Sequence, residues 1–200
     1  PAFRSAGSDR LQLESDLRRA LERHEIKLVY QPIIRLEDRS IAGFEALMRW
    51  ENPRRGTIPP ADFIPIAESC GLIVPLGLFA MQQAADDLAG WQKLIGDMPL
   101  SVSVNLSSRQ LLRRDLVTDV RSIIARSNLK PRCFRLELTE SLVMDNPEQS
   151  AHVLARLKRL GIGLSLDDFG TGYSSLSYLS RFPFDTIKID KSFIDDPSPK

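Results

Sequence analysis

The chain has 200 residues, 42% of them hydrophobic and 26% charged, the balance of a globular chain with one substantial core. A net charge of +1 argues against a broad phosphate-tracking surface and so excludes duplex nucleic acid as the main partner. Cys70 and Cys133 lie far apart with no metal-type spacing, which fits a reducing compartment. No apolar run approaches the ~20 residues of a membrane span and no charged-then-apolar leader opens the chain. The sequence therefore reads as cytoplasmic, with no membrane contact by this domain.

Residues 1–10, PAFRSAGSDR, read as a linker or the tail of an upstream segment. From Asp9 to about His24, an apolar stripe of Leu11, Leu13, Leu17, Ala20 and Leu21 between charges predicts a helix. Two β-rich runs follow, KLVYQPIIRL and IAGFEALMRW, separated only by EDRS. Parallel neighbours need a crossover of a dozen or more residues, so this pair is expected to be an antiparallel hairpin. A proline-punctuated loop leads to helical segments around 60–70 and 73–95. Strand LSVSVNL, a helix over roughly 108–127, strand CFRLELTE and a helix from about Asn146-Pro147 to Gly161 come next. Strand GLSLDDF, a short helix SSLSYLSRF and strand DTIKIDKSFI complete the chain. Alternation of strand and helix with short links predicts parallel strands packed under helices. Arg109, Arg113, Arg114 and Arg121 cluster at helical spacing and read as a solvated face.

An open doubly wound sheet and a barrel both satisfy this order, and the polar residues decide between them. Glu45, Asn105, Glu137, Asp167, Asp168 and Lys188 lie in or at the ends of five strands. A β/α barrel builds such a set at its C-terminal face, whereas an open sheet concentrates its site at one switch point beside a glycine-rich turn that this sequence lacks. Glu45, Leu47 and Arg49 share a strand face, as do Glu137 and Thr139, and Lys188 and Asp190. Asp167 and Asp168 point opposite ways in an extended strand, so their convergence requires a turn, for which Gly170 and Gly172 supply conformational freedom. Four carboxylates and an amide oxygen without His or Cys make a hard-oxygen set suited to Mg²⁺, Mn²⁺ or Ca²⁺. His24 and His152 fall on helices and read as surface or helix-end residues.

Each residue alone has a plainer reading. Glu45 or Glu137 could be a rim acid paired with arginine, and Lys188 a solvated strand-end lysine. Asn105 could cap the helix after LSS, and Asp167-Asp168 could cap a turn. Their joint placement at strand ends carries the functional reading.

FEALMRW, SVNLS, ELTES, DDFGTGYSSL and IKIDKSFI, with LVYQPI upstream, occur in the order and approximate spacing of the EAL-domain family. The chain resembles these cyclic-di-GMP phosphodiesterases from about residue 11 to 195. The resemblance implies a modified TIM-type (β/α) barrel with an antiparallel first strand, and residues 11–200 as one EAL domain. It implies opening of one phosphodiester to give linear pGpG with two Mg²⁺ or Mn²⁺ ions. Glu45, Asn105, Glu137 and Asp167 would hold one ion, with Asp167 bridging to a second on Asp168. Lys188 would position the attacking water, with Glu45 and Asp167 also part of the catalytic set. Arg49 would clasp a substrate phosphate with Gln31 and Asp190 close by, and Glu140 would brace the loop of Gly170, Thr171 and Gly172. Two divalent ions supply hydroxide at neutral pH and relieve phosphoryl charge, which accounts for many carboxylates and no catalytic histidine.

RWENP departs from the family at Glu51-Asn52, with little expected consequence. The chain also stops at Lys200 after six predicted strands, where such barrels run to ~250 residues and eight strands. It is therefore expected to be an incomplete domain, truncated after the sixth strand and lacking a later metal-associated glutamate. In that state it is expected to hydrolyse poorly and to associate, and ~50 further residues are expected to restore activity and solubility. Competing functions are a silent cyclic-di-GMP receptor and a Schiff-base lyase using Lys188. Degenerate receptors of the family lose the first acid or the DDFGTG loop, and both are present here. A lyase needs a desolvated lysine with few acids nearby. The resemblance further implies a homodimer and an upstream sensor or diguanylate cyclase domain, and is compatible with the cytoplasmic part of a larger membrane-attached protein.

Overall fold

The two β-rich runs pair as a hairpin in the computed structural model, which describes residues 2–96, 99–170 and 181–195. β1 (Ile26–Ile34) and β2 (Ile41–Asn52) are antiparallel, with Gln31 opposite Glu45. The following parallel strands are β4 (Ser101–Asn105), β5 (Phe134–Thr139), β6 (Gly163–Phe169) and β7 (Thr186–Ile189). The order along the sheet is β1-β2-β4-β5-β6-β7, so chain neighbours are spatial neighbours throughout. A seventh strand, β3 (Gly56–Ile58), falls in the proline-punctuated stretch expected to be a loop and pairs with the end of β2. Among the described residues no pairing joins β1 to β7, and the sheet is not closed. Its register is nonetheless that of a curving barrel wall. Glu45 aligns with Ser103, but Glu137 aligns with Asn105 and Asp167 with Thr139, so the acids advance along their strands from one neighbour to the next.

Strand alternation divides the sheet into two faces. Val102, Val104, Phe134, Leu136, Leu138, Leu164 and Leu166 point one way and are buried against helices. Those helices are α3 (Ile73–Ile95), α5 (Leu116–Ser127) and α7 (Pro147–Arg159). Each fully buried Leu or Phe in this layer contributes about 2 kcal/mol. The intervening residues, Ser101, Ser103 and Asn105, Arg135, Glu137 and Thr139, and Ser165 and Asp167, form the other face. The interior of a β/α barrel is ordinarily filled by branched apolar residues, so a polar inner face marks this one as a site.

A second core joins α1 (Ala2–Ala20) and α2 (Pro60–Cys70) to the hairpin around Leu17, Trp50, Phe63 and Leu76. Trp50 Nε1 donates to buried Glu25 at 3.0 Å, so its polar edge is satisfied inside that core. α1 extends seven residues before the start expected at Asp9 and ends at Ala20, ahead of the left-handed His24. Asn52 is buried and accepts from the Arg54 and Arg55 amides at 3.0 and 3.1 Å, pinning the β2–β3 turn.

The helix expected over 108–127 is two helices. α4 (Ser108–Leu111) starts on a Ser107–Gln110 capping box, and α5 restarts at Leu116. Arg113 bridges the break to Asp115 and Asp119, while Arg109, Arg114 and Arg121 are exposed. α6 (Glu140–Asp145) begins where strand β5 was expected to continue. The last strand ends early, because the Asp190 carboxylate accepts from the Ser192 amide at 2.9 Å and starts α8 (Ser192–Asp195). The expected helix at SSLSYLSRF lies largely outside the described residues. Among the described residues no single helix is long and apolar enough to cross a membrane. Both cysteines are free, and both histidines are exposed.

Candidate metal centre

Four strands bring their inward polar residues to one point. Lys188 Nζ on β7 donates to Glu45 Oε2 on β2 at 3.0 Å, Glu137 Oε2 on β5 at 2.6 Å and Asp167 Oδ2 on β6 at 3.0 Å. One oxygen from each of these carboxylates lies within 4.8 Å of the others. Asn105 on β4 donates its amide nitrogen to Glu45 Oε1 at 2.9 Å, which turns its amide oxygen away as a spare acceptor. The burial is graded: the Glu137 side chain is 1% exposed, Glu45 18%, Asp167 20% and Lys188 29%. The ring is most buried at Glu137 and most exposed at Lys188.

This arrangement shifts protonation equilibria in opposite senses. Burial raises the Glu137 pKa, and the neighbouring Glu45 and Asp167 charges raise it further against the pull of Lys188. Burial disfavours the Lys188 ammonium, but hydrogen bonds and attraction from Glu137 and Glu45 outweigh it and hold its pKa above the ordinary lysine value. A Schiff-base nucleophile must be a free amine, and Lys188 is held as the opposite. Its charge serves the carboxylates.

Asp167 joins the acid group with Glu45 and Glu137, whereas the adjacent Asp168 is exposed at the bend outside it. Asp168 itself takes the left-handed conformation, φ 53°, and its amide donates to Asp167 Oδ1 at 3.0 Å. The β6–β7 register breaks between Leu166 and Phe169 at this bend. Asp can adopt this backbone more readily than most residues, so the turn starts before the glycines. Burial raises the Asp168 pKa, and Asp167 and Asp190 raise it further, so the three carboxylates share one field. Gly170 follows with φ 99°, and its amide donates to Glu140 Oε2 at 3.1 Å. Glu140 is buried at the start of α6, so the bend after β6 is tied to the end of β5. Thr171 and Gly172 lie outside the described residues.

Gln31 faces Glu45 across the hairpin. Arg49 stands apart from the ring: its Nη1 donates to the Met48 carbonyl at 2.8 Å. It lines a cavity of about 300 Å³ together with Asn105, Ser107 and Thr139. Sequence reasoning did not single out Ser103, Ser165 or Arg135, which lie in the layer below the acids on the same face. Their signal was available as the period of two counted back from Asn105, Asp167 and Glu137.

The donor set fits a divalent cation. It is all oxygen, it is crowded enough to repel itself without a cation, and one carboxylate is nearly fully buried. Glu45, Glu137 and Asp167 are the residues whose oxygens lie close enough together to hold one such ion, with the Asn105 amide next to Glu45.

Three comparisons bear on what such a site does. The family model for the EAL domain matches residues 14–199. The bifunctional diguanylate cyclase/cyclic di-GMP phosphodiesterase MucR of Pseudomonas aeruginosa is 43% identical over 188 residues, covering 94% of this chain and 27% of MucR. The cyclic di-GMP phosphodiesterase PdeR of Escherichia coli is 44% identical over 188 residues, covering 93% of this chain and 28% of PdeR. A solved structure described as "PaMucR Phosphodiesterase, c-di-GMP complex" superposes with a TM-score of 0.88 at 43% identity, over 92% of this chain and 74% of that one. The chain thus spans about a quarter of the length of these curated relatives.

Proposed function

The chain belongs to the EAL domain family, and from that premise we propose that it is the hydrolytic part of a metal-dependent cyclic-di-GMP phosphodiesterase that opens one phosphodiester to linear pGpG. The observation that carries the reading is the meeting of Glu45, Glu137 and Asp167 around Lys188 at the open end of a parallel sheet. Two divalent ions, Mg²⁺ or Mn²⁺, when bound, neutralise phosphoryl charge and lower the pKa of water.

The chain's own residues do the rest. Glu45, Glu137, Asp167 and Asn105 would hold one ion, and Asp168 would serve the other together with Asp167. Lys188 remains protonated and its three N–H donors go to Glu45, Glu137 and Asp167; a donor released when an ion takes those oxygens would orient the attacking water and offset negative charge as it develops. Arg49 turns its guanidinium to a substrate phosphate, an interaction that suits a planar fork of donors. Gln31 and Asp190 flank the dinucleotide. Glu140, through Gly170, fixes the bend that presents Asp168.

The test is chromatographic analysis of cyclic-di-GMP incubated with the complete gene product and Mg²⁺ or Mn²⁺. Accumulation of pGpG is expected. Tight binding of the dinucleotide with no product would instead identify a receptor.

A further inference from the structure

Asn105 differs from the carboxylates around Lys188 in how its direction is set. It is the last residue of β4, its side chain is exposed, and its amide nitrogen donates to Glu45 Oε1 at 2.9 Å. An exposed amide has little packing to hold it, so its aim depends on the backbone that carries it.

That backbone is held at two successive peptides. Leu106 is buried, and its amide donates to the Glu137 carbonyl at 2.9 Å, which ties the end of β4 to β5. The next amide, that of Ser107, donates to Gln110 Oε1 at 3.1 Å as the chain leaves the sheet. The Ser107 hydroxyl also donates to Gln110 Oε1 at 3.1 Å, and it accepts from the Gln110 amide at 3.4 Å. Gln110 thus closes a reciprocal lock on the second residue after Asn105.

The lock is itself backed by the core. α4 has four residues and little stability of its own, so its place is set by what it packs on. Gln110 is 3% exposed and lays its side-chain amide against α3 at Gly77. A Cβ at Gly77 would stand 2.6 Å from Gln110 Cδ and 2.8 Å from Oε1, so the glycine makes room for this one side chain. α3 therefore backs Gln110, Gln110 holds Ser107, and Ser107 fixes the exit of β4 beside Asn105. Asn105, Ser107 and Gln110 line the same cavity as Arg49.

We propose that Gln110 is a positioning residue for the metal centre. It acts through Ser107 to hold the Asn105 amide oxygen where a divalent cation on Glu45, Glu137 and Asp167 can take it. Partners that stand behind a ligand in this way tune metal affinity without touching the ion. The inference rests on the reading of the acid ring as a metal centre.

Calorimetric titration of the complete gene product with Mn²⁺, in the absence of substrate, tests it. Gln110→Met keeps the side-chain length and removes the acceptor. Gly77→Ala leaves Gln110 and Ser107 in the chain and favours the helix, but its methyl displaces the Gln110 amide. Each should weaken Mn²⁺ binding at least ~10-fold, the lower end of the cost of removing a residue behind a metal ligand. Asn105→Ala should bind more weakly than the parent. In that background the same two substitutions should add less than about 2-fold, because the ligand they position is gone. Unchanged affinity in a folded Gln110→Met or Gly77→Ala protein would overturn the proposal. So would an Asn105→Ala protein that binds as the parent does, or a full loss repeated without Asn105. A parent that binds no Mn²⁺ would remove the metal-centre reading, and this inference with it.

Discussion

Lys188 brings one ammonium to three carboxylates, one of them on a nearly fully buried side chain, so its removal leaves like charges facing one another in a poorly solvated place. Lys188→Met should therefore lower stability in chelator by about 2 kcal/mol, less than a fully buried pair would lose because the lysine is partly exposed. Saturating Mn²⁺ should recover much of that loss, because a cation then occupies the ring. Thermal unfolding with and without metal checks this, and an equal loss in both conditions would argue against a shared cation site. Glu45→Gln and Asp167→Asn each remove one negative charge with little change in volume. Both should retain the fold and lose at least ~10²-fold in cyclic-di-GMP turnover, the scale of a key electrostatic group. Near-normal turnover at saturating metal would make these residues structural. The acids were legible in the sequence because strand parity and strand ends are written in the residue order. The left-handed backbone of Asp168 was not, since two glycines nearby offered a cheaper place for the turn.

At the scale of elements, Asp185 joins three of them at the start of β7. Its carboxylate pairs with Lys158 on α7 and accepts from the Leu164 amide on β6 at 2.9 Å. Burial pushes its pKa up, but the Lys158 and Leu164 hydrogen bonds prevail and hold it below the ordinary carboxylate value. A carboxylate with a depressed folded pKa contributes stability that is fully present above its unfolded pKa of about 4 and is lost as pH falls through the folded value. Asp185→Asn should thus be less stable than the parent at pH 7 by about 0.5–1 kcal/mol, the modest figure reflecting solvent screening. The difference should close as the pH falls below about 4, and denaturant melts across pH would show it. A pH-independent difference would assign the effect to packing. Hairpin, parallel strands and main helices could be read from link lengths and periodicity. The missed elements are short and were decided by local hydrogen bonds. β3 depends on the Asn52 turn, α4 on its capping box and α8 on the Asp190 carboxylate.

The molecule as a whole is a curved sheet, parallel from β2 to β7 and led by an antiparallel hairpin. Its outer face meets helices, and its inner face carries polar side chains on β4 to β7 beside Val29, Ile33 and Leu47 of the hairpin. That division follows from alternation along each strand, which is why a barrel wall could be anticipated from sequence. The lower layer of serines and Arg135 was harder to see, because small polar residues carry no distinctive chemistry until the sheet curls around them. Acids and a spare amide oxygen at the upper end make a hard-oxygen site, and its rigidity should discriminate between cations. Ca²⁺ should occupy it yet support much less cyclic-di-GMP turnover than Mg²⁺ or Mn²⁺, since looser coordination holds the attacking water poorly. Equal rates with all three, compared at saturation, would contradict that geometry. The most direct measurement strips the complete gene product of metal with chelator, then follows cyclic-di-GMP turnover as Mg²⁺ is added back. The account predicts no turnover in chelator and a saturable return to full activity, whereas full activity in excess chelator would contradict it.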